Sequence, residues 1–284
     1  MYFFMIIWLA SYPKSGNTWL RSIVSALIHT DNGIFNFNLL KKIQQYPSRK
    51  FFQDFTINFD NVNDISRYWI LTQNKINLDN EVKFFKTHNL NCKINNNSFT
   101  DKFNTLATIY IVRDPRSLVL SISNHYSKTI EEAEKFLTES KIISGSQKKE
   151  DAENQIATLI GTWKENYNFW TKKNSNLLLI KYEDLLNNID NEIEKIASFL
   201  ANYIKIELNE SKKKNIIETT KFENLKKMEN AGLFTENAFD KNNNKKVMFF
   251  HKGPENDWKK TLDKDLQNKI ESNFINEMKE LKYI

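Results

Sequence analysis

The segment 11–19 of this chain combines residue types that bind phosphate groups. It reads Ser-Tyr-Pro-Lys-Ser-Gly-Asn-Thr-Trp and places Lys14 and Gly16 between an apolar run and an amphipathic stripe. This order predicts a strand, a tight turn and a helix N-terminus. Backbone N–H groups and the helix dipole then face an anion, and the lysine adds a full charge. We predict an anion site here, with an ordinary capped turn as the alternative. The Walker A spacing Gly-x-x-x-x-Gly-Lys-Ser/Thr is absent, which argues against an ordinary ATPase or GTPase.

A second charged segment, residues 109–117, follows a later apolar run and reads Ile-Tyr-Ile-Val-Arg-Asp-Pro-Arg-Ser. Asp114 followed by Pro115 predicts the start of a helix, and Ser121 falls two turns into that helix. Arg113 is expected at the carboxyl end of a buried strand, where a bare charge is costly unless it meets an opposite charge. A bound anion and a structural salt bridge both remain open as its partner.

Four continuous apolar runs predict the buried strands that position these segments. The predicted strands cover residues 4–10, 82–86, 106–112 and 177–182. Uninterrupted apolar runs are typical of a parallel sheet that is covered on both faces. Apolar stripes with helical spacing are predicted over 19–28, 156–170, 193–200 and 262–281. The alternation predicts an α/β fold, a central parallel β-sheet flanked by helices, with ligands at the carboxyl ends of the strands.

Length and composition favour one globular domain over residues 1–284. The net charge of +6 fits either an anion pocket or a Lys-rich surface, and the scattered basic residues argue against nucleic acid as a partner. The single cysteine, Cys92, excludes an internal disulfide. The apolar start of the chain lacks a basic n-region and is too short to span a bilayer, so we expect no transmembrane segment and a cytoplasmic location.

Five segments, in this order along the chain, resemble the motifs of the cytosolic-type sulfotransferases. That family uses 3'-phosphoadenosine 5'-phosphosulfate (PAPS) and releases adenosine 3',5'-bisphosphate (PAP). Residues 12–19 look like its 5'-phosphosulfate loop, residues 85–88 (Phe-Lys-Thr-His) like its catalytic segment, and residues 113–121 like its 3'-phosphate motif. Residues 179–185 (Leu-Ile-Lys-Tyr-Glu-Asp-Leu) are similar to its Tyr-Glu-Asp-Leu strand end. Residues 250–259 (Phe-His-Lys-Gly-Pro-Glu-Asn-Asp-Trp-Lys) resemble its Lys-Gly-x-x-Gly-Asp-Trp-Lys loop. The resemblance implies sulfuryl transfer within a P-loop-like fold.

The resemblance also implies a role for each matching residue. The 5'-phosphosulfate would be held by Lys14 and by backbone N–H groups of Ser15, Gly16, Asn17 and Thr18. The adenine would lie between Trp19 and Phe222, with Tyr182 and Thr220 near its edge. The 3'-phosphate would contact Arg113 and Ser121, with help from His251, Lys252 and Gly253. His88 would be the general base, while Lys86 and Lys14 would stabilise the transferring group, so no metal is expected. Each residue also has a purely structural alternative. His88 could be a strand-end histidine bonded to a carbonyl, and Trp19, Phe222 and Tyr182 could be core aromatics.

Two positions depart from the family pattern. His251 stands where the family usually has arginine, and Asn256 replaces the second glycine of that loop. Because histidine titrates near neutral pH, His251 predicts that the affinity for the 3'-phosphate depends on pH. Asn256 leaves the conformation of the loop open.

The acceptor is expected to be a small molecule, lipid or glycan with a hydroxyl or amine, and the sequence does not identify it. Residues 31–80, 127–150 and 230–247 are expected to line its pocket. The oligomeric state is open.

Two rival classes of protein remain. One is a P-loop kinase with Asp114 as its metal-binding carboxylate, and the other is a non-catalytic nucleotide-binding module. The presence of Lys14, Lys86 and His88 argues against the second.

Overall fold

The computed structural model of this chain describes residues 5–79, 81–143, 156–172, 176–236, 238–239 and 246–284. Its strands are β1 (Ile6–Ser11), β2 (Gln44–Gln45), β3 (Lys83–Thr87), β4 (Lys93–Ile94), β5 (Asn97–Ser98), β6 (Thr105–Val112), β7 (Lys141–Ile143), β8 (Thr158–Gly161), β9 (Leu177–Lys181), β10 (Ala238–Phe239) and β11 (Lys246–Val247). Five of them form the central sheet, in the order β2-β3-β1-β6-β9, and the remaining strands form two-stranded pairs.

The helices differ in length from one to more than three turns. They are α1 (Asn17–His29), α2 (Arg49–Phe52), α3 (Val62–Ser66), α4 (Trp69–Ile76), α5 (Pro115–Tyr126), α6 (Ile130–Thr138), α7 (Trp163–Thr171), α8 (Tyr182–Asn187), α9 (Ile189–Leu200), α10 (Glu210–Thr220), α11 (Phe222–Asn230), α12 (Trp258–Thr261), α13 (Lys264–Asn273) and α14 (Ile275–Glu280). None of the helices in the described residues is long and apolar enough to cross a membrane.

The central sheet confirms the predicted α/β class. β1 lies between β3 and β6 and runs parallel to both, and all six of its residues are buried. Because Ala10 pairs with Thr87, the residues that follow these two strands emerge at the same edge of the sheet. The four predicted strands match β1, β3, β6 and β9 to within two residues at each end. Residue 4, where the first was expected to begin, lies outside the described residues.

The chain forms two compact units, and each is built from three segments. The first unit comprises Met1–Tyr12, Lys42–Ile111 and Ser140–Leu179, and the second comprises Pro13–Lys41, Val112–Glu139 and Ile180–Ile284. The first unit holds most of the sheet together with α2, α3, α4 and α7. The second holds α1, α5, α6 and all the helices from α8 onwards. The prediction of one domain over the whole chain stays a prediction.

An aromatic core fills the first unit. Trp8 on β1 is fully buried, and its ring centroid lies 5.4 Å from Tyr46, 5.5 Å from Phe99 and 6.2 Å from Trp170. The indole N–H of Trp8 donates to Thr105 Oγ1 at 2.9 Å, so its polar atom is satisfied inside the core. The contact between Trp8 and Trp170 packs α7 against β1.

The helix predicted over 156–170 is wrong in its first half. Residues 158–161 form β8, which pairs antiparallel with β7, and α7 begins only at Trp163. Gly161 ends the strand with a φ of 64°, and Thr162 and Glu165 then form a reciprocal capping box. The apolar residues of the short strand had the same spacing as a helical stripe, which explains the error.

The long C-terminal helix predicted over 262–281 is two helices, α13 and α14. They are separated by Phe274, which has a φ of −123° and is 2% exposed. One apolar stripe continues across the break because both helices bury the same face, at Ile270 and Met278. Periodicity alone does not reveal a break of this kind.

Candidate functional site

The turn after β1 has the backbone geometry of an anion site. Lys14 has a φ of 67° and Gly16 a φ of 102°, both in the left-handed region. For a lysine this conformation costs on the order of 1–3 kcal/mol, and such strain is typical of functional turns. Gly16 is also the N-cap of α1 and supplies no side-chain acceptor to the first helical N–H groups. Gly16 thus leaves the N-terminus of this 13-residue helix without a side-chain cap, and its backbone N–H groups and dipole favour an anion there.

Lys14 contributes a cation next to that turn. Its Nζ atom lies 3.4 Å from the ring centroid of Phe249 and 3.4 Å from Nδ1 of His125. The aromatic face attracts the ammonium group, and an imidazole nitrogen without a proton can accept a hydrogen bond from it. The sequence predicted Lys14 at this place but neither of its two neighbours, which come from elements more than 100 residues away.

Arg113 is buried without a carboxylate partner in the described part of the chain. Its residue is 5% exposed, its Nε atom has no hydrogen-bond partner there, and Nη1 donates to the backbone oxygen of Lys14 at 3.4 Å. The guanidinium carbon lies 4.1 Å from the ring centroid of Tyr182. The charge of Arg113 acts on the nearby carboxyl of Glu183, whose oxygens bond Asp114 N and the Tyr283 hydroxyl and form no salt bridge with Arg113. Because a buried charge without a salt bridge is expensive, this arrangement favours a bound anion as the partner of Arg113.

Arg116, three residues later, makes the salt bridges instead. Its guanidinium bonds Asp114 at 2.7 Å and Glu271 at 2.7 Å, and it stacks 3.9 Å from the ring of Trp258. Asp114 also caps α5 by accepting from the backbone N–H of Arg116. The carboxylate that a kinase would need for its metal is therefore committed to an arginine and a helix N-terminus.

A buried acid and a phenol support the start of α5. Glu183 accepts from the backbone N–H of Asp114 at 3.0 Å and from the hydroxyl of Tyr283 at 2.8 Å. Burial raises the pKa of Glu183, and burial next to Glu183 raises the pKa of Tyr283. The phenol therefore stays protonated and donates. These contacts fix the backbone just after Arg113.

Polar atoms without partners lie at the predicted nucleotide residues. Within the described residues, Ser15 Oγ, Trp19 Nε1 and Arg113 Nε are buried and have no hydrogen-bond partner. Each such group costs about 1–3 kcal/mol unless something bonds it. Ser121, on α5, is only half-buried. The residues present thus fit a ligand that carries several hydrogen-bond acceptors.

The predicted adenine residues are part of the second unit. The rings of Trp19 and Tyr182 meet edge to face at 5.6 Å, and both residues are less than 10% exposed. One residue, Lys221, separates Thr220 at the end of α10 from Phe222 at the start of α11, and the Thr220 hydroxyl donates to the oxygen of Ile216. Burial raises the pKa of Tyr182 although nearby Arg113 opposes this shift, so its phenol is neutral.

The loop after β11 is attached to two helices of the same unit. Asn256 donates from Nδ2 to the oxygen of Ser117 on α5 at 3.0 Å, and Gly253, with a φ of 51°, lies against the ring of Phe222. A Cβ at position 253 would come within 2.4 Å of that ring, so only glycine fits there. Asn256, a departure from the family pattern, therefore anchors the loop. His251 and Lys252 are exposed on it.

The predicted catalytic segment belongs to the first unit. His88 follows β3 directly, and its Nδ1 lies 2.9 Å from the backbone oxygen of Ser11 and 3.1 Å from Ser11 Oγ. A carbonyl oxygen only accepts, so this contact favours a proton on Nδ1 and leaves Nε2 as the nitrogen that could act as the base. Lys86 is half-buried on β3, and its backbone oxygen accepts from Tyr46 N at 2.9 Å.

The sulfotransferase domain family model matches residues 6–282, nearly the whole chain. The chain belongs to the sulfotransferase family. As a member it is an enzyme that uses PAPS. A curated relative, cytosolic sulfotransferase 5 of Arabidopsis thaliana, is 24% identical over 273 residues, which cover 93% of this chain and 76% of the relative.

Solved sulfotransferase structures share the fold. Mouse sulfotransferase SULT7A1 complexed with PAP superposes with a TM-score of 0.61 at 21% identity, covering 97% of this chain and 85% of that chain. Retinol dehydratase in a complex with retinol and PAP gives a TM-score of 0.58 at 20% identity, covering 96% and 81%. The resemblance seen in the five sequence segments is therefore confirmed at the level of family and fold.

Within the second unit the structure brings together the turn at Lys14, the start of α5 at Arg113, and Tyr182. It also brings Gly253 against Phe222. Sequence reasoning missed His125 and Phe249, which contact Lys14, and Tyr283, which bonds Glu183. All three contacts join residues that are distant in sequence. The predicted acceptor segments 31–80, 127–150 and 230–247 each include residues outside those described, and their role in an acceptor pocket stays a prediction.

Proposed function

We propose that this sulfotransferase transfers the sulfuryl group of PAPS to a hydroxyl or amine of a small-molecule, lipid or glycan acceptor, with His88 as general base. The observation that carries the proposal is the buried Arg113 guanidinium, which has no carboxylate partner in the described residues. The retinol complex of a structural neighbour supports a small acceptor.

The proposed donor site uses three groups of residues. Lys14 and the N–H groups of residues 15–18 hold the 5'-phosphosulfate at the start of α1. Trp19 and Phe222 flank the adenine, with Tyr182 and Thr220 near its edge. Arg113, Ser121 and the loop His251, Lys252 and Gly253 bind the 3'-phosphate. The Ser15 hydroxyl and Arg113 Nε have no hydrogen-bond partner among the described residues and supply donors where this assignment needs them.

His88 takes the acceptor proton on Nε2 in the proposed reaction. An alcohol is a weak nucleophile at neutral pH, and a positioned base typically contributes about 10²–10⁴-fold in rate. The hydrogen bond from Nδ1 to Ser11 fixes the tautomer in which Nε2 accepts. As the new bond between acceptor oxygen and sulfur forms, the bond from sulfur to the bridging phosphate oxygen breaks, and PAP leaves with that electron pair.

Lys14 and Lys86 stabilise the negative charge of this step. Charge develops on the sulfuryl oxygens and on the leaving phosphate, and fixed cations stabilise such charge without reorganisation. Transfer of this type needs mainly positioning and electrostatics. Two lysines can supply that charge, so the proposal includes no metal ion.

Calorimetry with four nucleotides tests the donor site. We expect PAP to bind at least tenfold more tightly than AMP, ADP or Mg-ATP, with the same affinity in the presence of EDTA, because only PAP reaches Arg113 through a 3'-phosphate. Preference for Mg-ATP, or equal affinities for PAP and AMP, would contradict the proposal and favour a kinase.

The affinity for PAP should depend on pH through His251. Although His251 is exposed as a whole residue, partial desolvation of its ring, together with the neighbouring Lys252 and Lys226 ammonium groups, lowers the pKa of this imidazole from its usual value of about 6.5. A lowered pKa means that the imidazole gains its charge only at pH values below that, and charged donors hold phosphate more strongly.

We therefore expect the PAP affinity of the unmodified protein, relative to a His251→Arg variant, to rise roughly three- to tenfold as the pH falls from 7 to 5.5. The ratio cancels the protonation of PAP itself. A ratio that stays constant across this range in calorimetric titrations would refute a contact between His251 and the 3'-phosphate.

A further inference from the structure

A fully buried amide holds the backbone of the predicted base. Asn166 on α7 donates from Nδ2 to the oxygen of His88 at 3.0 Å and to the oxygen of Ile160 at 2.9 Å. Its Oδ1 accepts from the hydroxyl of Tyr110 at 2.9 Å. Asn166 is 0% exposed and Tyr110 is 1% exposed. Both amide hydrogens and the amide oxygen are thus used, and the bond from Tyr110 decides which end of the amide faces His88.

The surrounding elements place this amide by local rules. The capping box of Thr162 and Glu165 begins α7, and Asn166 lies in its first turn, where its N–H bonds the oxygen of Thr162 at 3.0 Å. Tyr110 lies on β6 beside Ala10 of β1. Burial raises the pKa of Tyr110 well above its usual value of 10, so the phenol keeps its proton and donates.

The residues after His88 are attached to the same strand and helix. Leu90 N donates to Leu159 O at 2.7 Å, and Leu159 N donates to Asn89 Oδ1 at 3.0 Å. Trp170 Nε1 donates to the oxygen of Asn89 at 2.9 Å. These bonds align residues 88–90 with β8, and the bond from Asn166 holds the carbonyl of His88 itself.

His88 is therefore held at two points. Its ring is fixed through Nδ1 by Ser11 and its carbonyl is fixed by Asn166. With the backbone and Nδ1 anchored, the direction of Nε2 has little remaining freedom. A loss of the backbone anchor would loosen the bond to Ser11 and admit the tautomer with the proton on Nε2, which accepts no proton there.

We propose that Asn166, oriented by Tyr110, is a positioning residue that keeps the His88 imidazole in the Nδ1-protonated state and aimed for proton transfer. This inference rests on the proposed role of His88 as base. A merely structural role would cost stability without changing the tautomer or the turnover of the folded enzyme.

Two variants test the proposal at different strengths. Asn166→Asp keeps the shape but removes both donors, and Tyr110→Phe removes only the group that orients the amide. We expect kcat to fall about ten- to hundredfold in the first and about three- to tenfold in the second, with PAP affinity within twofold of the unmodified protein. The transfer assay uses ³⁵S-labelled PAPS with 2-naphthol as acceptor.

Nitrogen NMR of ¹⁵N-histidine-labelled protein needs no acceptor and reads the tautomer directly. We expect His88 to show a protonated Nδ1 in the unmodified protein and a mixture of tautomers in both variants. Tyr46→Phe is the matched control, because it removes a buried hydroxyl that bonds the oxygen of Trp69 and Thr72 Oγ1 in the same unit. This variant should lower the melting temperature and leave the His88 signal unchanged.

The outcomes separate this inference from the function on which it rests. An unchanged His88 tautomer in Asn166→Asp, or losses of turnover that track melting temperature as they do in Tyr46→Phe, would overturn the positioning role. If His88→Asn itself keeps full turnover, the proposed base is wrong, whereas the tautomer measurement still decides whether Asn166 controls the imidazole.

Discussion

Replacing His88 by asparagine is expected to lower kcat by about 10²–10⁴-fold, because the acceptor proton then has no base to receive it. The amide of asparagine can still bond the backbone oxygen of Ser11, which Nδ1 of His88 contacts at 2.9 Å, so the local structure is preserved. Affinity for PAP should stay within about twofold, since the proposed donor contacts lie on other residues. The measurement is steady-state transfer of ³⁵S to an acceptor found in a screen of phenols, alcohols and amines.

His29→Asn is the matched control for this experiment. His29 ends α1 and belongs to none of the five motif segments, so its replacement should leave kcat within about twofold. A His88→Asn enzyme that retains more than a tenth of the normal kcat would show that another group takes the proton. A parallel loss of PAP binding would instead place His88 in donor binding rather than in catalysis.

The conformation of the turn at Lys14 and Gly16 was predictable because its signal is local. A strand, a turn with Lys14 and Gly16, and an amphipathic helix follow one another within about 20 residues, and the observed φ values occur at these two residues. The same holds for the capped start of α5 at Asp114. In both places the residues that define the geometry are neighbours in sequence.

Contacts between distant segments were not predictable in the same way. Asn166 meets His88 across 78 residues, and Tyr283 meets Glu183 across 100. Neither asparagine nor tyrosine carries a sequence signal for such a pairing, since both residue types occur in many environments. The misassigned strand β8 has a related cause, because a four-residue apolar strand next to a helix has the spacing of one longer helix.

The open question about Arg113 was its partner, and the structure changes the expectation. The salt bridges that the sequence allowed for Arg113 are made by Arg116, which bonds Asp114 and Glu271. Arg113 retains a long bond to the Lys14 oxygen and the face of Tyr182. Removal of an arginine with a structural salt bridge would leave a buried acid unpaired and destabilise the protein. Removal of Arg113 should leave the stability of the ligand-free protein unchanged or increase it.

Arg113→Ala is therefore expected to weaken PAP binding by roughly ten- to a hundredfold, the equivalent of about 1.5–3 kcal/mol for a charge-assisted hydrogen bond. AMP, which lacks the 3'-phosphate, should lose less than about threefold, and the melting temperature without ligand should not fall. The PAP affinity of Arg113→Lys should lie between those of the unmodified protein and Arg113→Ala, because lysine keeps the charge and loses the planar pair of donors.

Arg67→Ala, which removes an equal charge from a side chain that is 66% exposed, controls for the general field of the protein. Calorimetry of the two nucleotides on each variant gives the coupling between Arg113 and the 3'-phosphate directly. Equal losses for PAP and AMP would assign Arg113 to the 5'-phosphate or to the turn at Lys14. A drop in the melting temperature of the ligand-free variant would restore the salt-bridge interpretation and remove the observation on which the proposed donor site rests.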